Sequence, residues 1–126
     1  LKSYDIVNKH GDVIGVFKFN PADFGIIKRY EEVQKRYEAL EIPEKGASEQ
    51  MTEIADMLIK EMDYLINGDS REAFFATTFP LTPLATGEFY IENCLNALAK
   101  VIEMELGERI KKVKSRTSKY TAKYHK

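Results

Sequence analysis

The segment FPLTPLATGEFYIENCL, residues 79–95, carries two prolines and a glycine and then changes abruptly into apolar residues at helical spacing. Pro80 and Pro83 exclude a regular helix here, because proline lacks an N–H donor and restricts the residue before it. From about Thr86 the pattern predicts a long helix, with an apolar stripe that continues to Val113. The apolar side chains of the irregular part must therefore either fill the core or be displayed to a partner.

Three further helices are predicted ahead of this segment. The first is expected to begin at Asn20 as N-cap, with Pro21 in the first helical position and an apolar stripe that ends at Leu40. The second is predicted over residues 48–67, where an Asn-Gly pair provides a stop. The third is short and begins with Asp69, which resembles the start of a capping box.

The N-terminal segment YDIVNKHGDVIGVFKF predicts a β-hairpin, with strands over residues 4–7 and 13–19. Gly11 lies in the polar loop between them and can take the positive φ that such turns require. Gly15 interrupts the second strand and is typical of a bulge. One face of that strand is expected to be buried through Val13, Phe17 and Phe19.

The order of elements predicts a mainly α fold, in which an N-terminal β-hairpin is followed by a bundle of three to four helices with a long C-terminal helix. A chain of 126 residues fits one domain, and no stretch has the length or composition of a linker between two cores. We therefore expect a single domain over residues 1–126. It divides into a hairpin (4–19), a helical body (20–113) and a basic tail (114–126).

The net charge of −1 conceals a division along the chain. Residues 1–108 carry 11 basic and 20 acidic residues, whereas residues 109–126 carry 8 basic residues and no acidic one. Such asymmetry is typical of an interaction surface or a solvated tail. The single cysteine cannot form an internal disulfide, and no apolar run reaches the length of a membrane span. We expect no membrane partner and a location in the cytoplasm.

The residues that carry chemistry are few, and we expect no enzymatic activity. His10 lies in the hairpin loop, His125 is next to last, and Cys94 lies within the last helix, with no histidine near it in sequence. No Cys-x-x-Cys, Glu-x-x-His or glycine-rich phosphate motif is present. The sequence predicts no catalytic residues, no metal site and no cofactor.

Three interpretations of the basic end remain open: a solvated helix terminus, a contact for an acidic protein, and a nucleic-acid contact through lysines interleaved with tyrosines. The acidic body argues against nucleic acid. The candidate contact residues are Lys111, Lys112, Lys114, Arg116, Lys119 and Tyr120.

The layout of the chain, together with the phrases FKFNPADF, LINGDSREAFF and SKYTAKY, resembles the small tail assembly chaperones of siphophages and Firmicutes prophages. The likeness extends over most of residues 4–124. It implies a non-enzymatic protein of the bacterial host cytoplasm that binds the long tape measure protein, keeps it soluble and helps to recruit tail tube subunits. The resemblance supplies no active-site residues.

A chaperone for a helical client needs an apolar groove with polar edges. The candidate side chains, which otherwise belong to an ordinary core, are Met57, Met62, Phe74, Phe75, Phe79 and Leu84. Two alternatives from other classes are a structural head-tail or tail component that forms an oligomer, and a small nucleic-acid-binding regulator that uses the basic tail.

Overall fold

The computed structural model describes residues 2–43 and 48–116, with side chains for residues 2–43 and 48–107. A β-hairpin precedes four helices, and the last of these is the longest, so the predicted fold class is confirmed. The elements in chain order are β1 (Lys2–Val7), β2 (Val13–Phe19), α1 (Ile26–Ala39), α2 (Ser48–Ile66), α3 (Ser70–Ala73) and α4 (Tyr90–Arg116). Helix α1 packs against α2 and α4, and α4 also packs against β1.

The hairpin strands pair antiparallel, and Gly11 in the loop takes a φ of 85°, as predicted. Ile6 pairs with Gly15 but Val7 pairs with Val13, so β2 holds one extra residue at this point. This bulge reverses the alternation of side chains. Val13 is 59% exposed as a result, and the prediction that it shares the buried face of β2 is wrong.

Helix α1 begins later than the sequence predicts. The Asn20 side chain accepts a hydrogen bond from the Ala22 N–H at 3.0 Å, and its carbonyl accepts one from the Asp23 N–H at 3.0 Å. These bonds close a local turn, which is a common alternative for asparagine to helix capping. The helix itself starts at Ile26 after Gly25, so the prediction of Asn20 as its N-cap is wrong.

Helix α2 ends as predicted, through bonds that satisfy its last carbonyl groups. Asn67 takes a φ of 52°, and its N–H donates to the Tyr64 carbonyl at 3.3 Å. The Gly68 N–H donates to the Asp63 carbonyl at 3.1 Å, which completes a Schellman motif. Asp69 then accepts hydrogen bonds from two backbone N–H groups of α3, so its predicted capping role is confirmed.

A tight turn occupies the position where the sequence predicts the first turn of the last helix. The Leu84 N–H donates to the Glu88 carbonyl at 2.8 Å, and the Gly87 N–H donates to the Leu84 carbonyl at 3.0 Å. Gly87 takes a φ of 87°, which glycine adopts without strain. Helix α4 therefore begins at Tyr90 rather than near Thr86.

The proline-containing segment caps the start of α4 and fills the core beneath it. The first backbone N–H groups of a helix have no partner within the helix. Here the Tyr90 N–H donates to the Thr82 carbonyl at 3.0 Å, and the Ile91 N–H donates to the Pro80 carbonyl at 2.9 Å. Pro80 and Leu81 are both buried. The carbonyl groups of this irregular segment therefore accept hydrogen bonds from the first turn of α4, and its apolar side chains fill the core beneath that turn.

Candidate functional site

An apolar groove of about 260 Å³ lies between α1 and α2, and α4 forms its floor. Its walls are the places where the apolar stripes of the three helices face one another. The lining residues are Val33, Arg36, Tyr37, Ala39 and Leu40 of α1, Met57, Leu58, Glu61 and Met62 of α2, and Ile91 and Leu95 of α4. A dry cavity of about 150 Å³ holds a benzene-sized group, so this groove has room for one or two apolar side chains.

Charged side chains form the rim of the groove and link its two walls, α1 and α2. The Arg36 guanidinium of α1 donates to the Glu61 carboxylate of α2 at 2.7 Å, and it lies 3.9 Å from Glu32 one helical turn away. The same guanidinium lies over the Tyr64 ring, 5.6 Å from its centroid. The rim is therefore a bridge between α1 and α2 that leaves the apolar interior of the groove open.

Two tyrosines of α1 fix the floor of the groove to the first turns of α4. The Tyr37 hydroxyl donates to the Glu92 carboxylate at 3.0 Å, and the Tyr30 hydroxyl donates to the Leu95 carbonyl at 3.2 Å. Burial, and then the hydrogen bond to Glu92, raise the pKa of Tyr37 above its usual value. Both hydroxyls remain protonated donors at neutral pH, so two hydrogen bonds join α1 to the floor of the groove.

Two methionines occupy the mouth and the floor of the groove. Met57 is 42% exposed, whereas Met62 is completely buried. Methionine has three rotatable bonds and a polarisable sulfur, which suits a surface that must accept side chains of different shape. The groove is thus lined at two depths by the most adaptable apolar side chain.

The structure brings together Met57 and Met62 from the predicted partner surface, but it moves three predicted members into the core. Met62, Phe74 and Phe75 are each less than 10% exposed. Phe74 stacks on Phe17 of β2 because α3 ends after a single turn and directs the chain beneath the hairpin. The expectation that these three side chains form an exposed surface is therefore corrected, although Met62 contributes to the groove floor.

The remaining apolar members of the predicted surface lie apart from the groove. Phe79 is 48% exposed, and Leu84 is half-buried in the segment that precedes α4. Neither lines the groove. Sequence reasoning missed the contributions of α1 and α4, such as Leu40 and Leu95, although it identified the apolar stripes to which they belong.

The predicted basic contact residues cannot be placed against this groove. Lys111, Lys112, Lys114 and Arg116 belong to the helical backbone of α4, but their side chains lie outside the described residues. Lys119 and Tyr120 lie outside the described residues altogether.

A larger cavity of about 650 Å³ lies between β2 and the corner that joins α2 to α3. Its lining is mixed, and two of its carboxylates already have intramolecular partners. Asp69 caps α3, and Asp23 forms an ion pair with Arg29. This cavity is therefore less suited than the groove to take an apolar partner.

The groups that most often carry chemistry lie away from both cavities. Cys94 is fully buried, and burial raises the pKa of its thiol to about 12, so it is an unreactive thiol at neutral pH. His10 is exposed in the hairpin loop. Among the side chains that the structure describes, no three of the types His, Cys, Asp and Glu are arranged to hold a metal ion.

Comparisons of the chain with protein-family models, with curated proteins and with solved structures give no significant match. Within residues 2–43 and 48–116, no helix combines the length and the apolar character needed to cross a bilayer.

Proposed function

We propose that this chain is a non-enzymatic phage or prophage tail assembly chaperone, which acts in the bacterial host cytoplasm. In this proposal it binds the tape measure protein in the groove between α1 and α2 and assists tail tube assembly. The single observation that carries the proposal is an apolar groove with a polar rim, open at Met57 and closed beneath by α4. The sequence resemblance supplies the identity of the client.

The form of the groove favours a helical client. An amphipathic helix presents apolar side chains at positions i, i+3 or i+4, and i+7 along one face. The room for one or two side chains corresponds to neighbouring anchors on such a face. Polar residues of the client that flank its apolar anchors would contact the Arg36–Glu61 rim, where charged groups stay hydrated.

The chaperone proposal is tested by co-expression of this chain with the proteins encoded by its neighbouring genes. We expect the chain to retain in the soluble fraction a long, helix-rich neighbour that is insoluble when expressed alone. The variant Met57→Lys places a charge at the mouth of the groove and should weaken this effect strongly, because an apolar side chain of the client would have to displace water from the ammonium group.

The matched control is Met104→Lys, since Met104 is a 61% exposed methionine of α4 outside the groove. Met104→Lys should keep the neighbour soluble to the same extent as the unmodified chain. The proposal would be overturned if no helix-rich neighbour is retained, or if the two lysine variants lose the effect equally.

A further inference from the structure

The groove also fits a second occupant that belongs to this protein. We infer that, in the absence of a client, the basic C-terminal segment of one copy (residues 109–126, the basic segment) docks into the groove of a second copy. The resulting contact is head-to-tail, because the groove and the basic segment are different surfaces of the chain. It gives the client site a built-in competitor.

Charge complementarity is the first argument for this occupant. The basic segment carries eight basic residues and no acidic one. Helix α2, which forms one wall of the groove, carries five carboxylates and one lysine along its length, and Glu61 is the carboxylate among them that lines the groove. On the α1 wall, Leu40 lines the groove at the C-terminal end of the helix, where the helix dipole favours cations. The exposed Glu38 and Glu41 flank this end in sequence and add to its attraction for cations.

The apolar content of the basic segment matches the size of the groove. Ile110 and Val113 are three residues apart, which is the spacing of neighbours on one helical face, and lysines surround them. Since α4 extends to Arg116, the backbone at both residues is helical. A helix with two apolar anchors and a basic remainder is the kind of ligand that an apolar groove beside the acidic helix α2 accepts.

Helix geometry prevents a chain from filling its own groove with these anchors. The groove contacts α4 at Ile91 and Leu95, whereas residues 109–116 lie at least fourteen residues further along the same helix. At 1.5 Å per residue, that distance is about 20 Å or more. The helical rise thus places positions 110 and 113 out of reach of the groove of their own chain, and the occupant that we infer is the segment of a second copy.

A head-to-tail contact leaves one groove and one basic segment unused at the ends of every open assembly and none unused in a closed ring. Such contacts produce rings when the rotation between copies closes and open chains when it does not. Because the attraction is partly between exposed charges, the association should weaken as salt is added. Client binding and self-association then compete for the same groove.

The test uses two variants of the full chain and sedimentation velocity. Variant A, Met57→Lys, has a blocked groove and an intact basic segment. Variant B, which combines Lys111→Glu, Lys112→Glu and Lys114→Glu, has an intact groove and a reversed segment. Each variant alone should lose at least about tenfold in association constant relative to the unmodified chain. An equimolar mixture should form a dimer and nothing larger, because only one productive contact is possible.

The control for variant B reverses three exposed lysines of the body, Lys9, Lys18 and Lys28, so that net charge changes equally. This control should associate like the unmodified chain, and the circular dichroism melts of all variants should coincide. The inference is overturned if the unmodified chain stays monomeric at low salt, or if the mixture of A and B remains monomeric. Client capture is measured in a separate experiment. A chain that does not self-associate could still capture its client, and a chain that captures no client could still self-associate.

Discussion

Phe17 of β2 stacks on Phe74, the residue that follows α3, with ring centroids 4.9 Å apart and an interplanar angle of 23°. This pair joins the hairpin to the helical body across 57 residues of sequence. Phe75 extends the cluster, since its ring meets that of Tyr90 edge to face at 6.2 Å. The hairpin is therefore an integral part of the core.

The burial of Phe74 predicts a large effect of truncating its side chain. Phe74→Ala should lower the free energy of unfolding by about 3–5 kcal/mol, because it leaves a cavity beneath the hairpin. Phe79→Ala, at a 48% exposed phenylalanine, should lower it by at most about 1 kcal/mol. Urea denaturation measures both values, and equal losses would contradict the assignment of Phe74 to the core.

Local chemistry explains which parts of the fold could be predicted from the sequence. The stop of α2 and the cap of α3 depend on Asn67 and Asp69, whose partners lie within a few residues. The position of Val13 depends on a bulge, and that of Phe74 on where a one-turn helix releases the chain. Gly15 indicates the bulge in the sequence but not the register at which it lies, and the burial of Phe74 depends on its packing against the hairpin.

The groove, too, could be predicted from the sequence only in part. The apolar stripes of α1, α2 and α4 are visible in the sequence, but each stripe is also what an ordinary core requires. Only the structure shows that the stripes leave a space around Met57 and Met62. The sequence does not separate the exposed members of a stripe from the buried ones, which is why it leaves Phe75 open between the core and a partner surface.

The close approach of β2 to α4 predicts an effect at Gly15. A Cβ atom at this position would lie 2.8 Å from the Tyr90 hydroxyl oxygen, which itself donates to the Phe74 carbonyl at 3.1 Å. Gly15→Ala should therefore destabilise the fold by about 1–3 kcal/mol through overpacking.

A double-mutant cycle separates this contact from a general loss of backbone freedom. In a background that carries Tyr90→Phe, the hydroxyl is absent and Gly15→Ala should cost less. Strictly additive effects of the two substitutions would show that the clash is not the cause.

The thiol of Cys94 should be inert in the native state. It is completely buried, and burial raises its pKa to about 12, so almost no thiolate forms near neutral pH. We expect a thiol reagent to label it only as fast as the protein unfolds, with full labelling in denaturant. Rapid labelling of the folded protein at neutral pH would contradict this environment.

Alkaline pH should expose the contribution of Tyr4. Burial, and then its hydrogen bond to Glu105, raise the pKa of Tyr4 from 10.0 to about 12. A group whose pKa is higher in the folded state holds its proton more tightly there. Its contribution to stability is therefore complete below pH 10 and is lost as the pH rises towards 12.

The variant Tyr4→Phe removes this titration. Between pH 10 and 12 its free energy of unfolding should fall less steeply with pH than that of the unmodified chain, as measured by urea denaturation. Parallel curves for the two proteins over this range would show that Tyr4 has the same pKa in both states.

The groove is tested as the client-binding site by using the four methionines as probes within one sample. Met57 and Met62 line the groove, whereas Met51 and Met104 do not. Methionine methyl NMR spectra would be recorded while a helical peptide from the co-purifying tape measure candidate is added. We predict that the Met57 and Met62 methyl signals shift with saturation while the Met104 signal stays in place. Binding that moves Met104 and leaves Met57 and Met62 unchanged would contradict it.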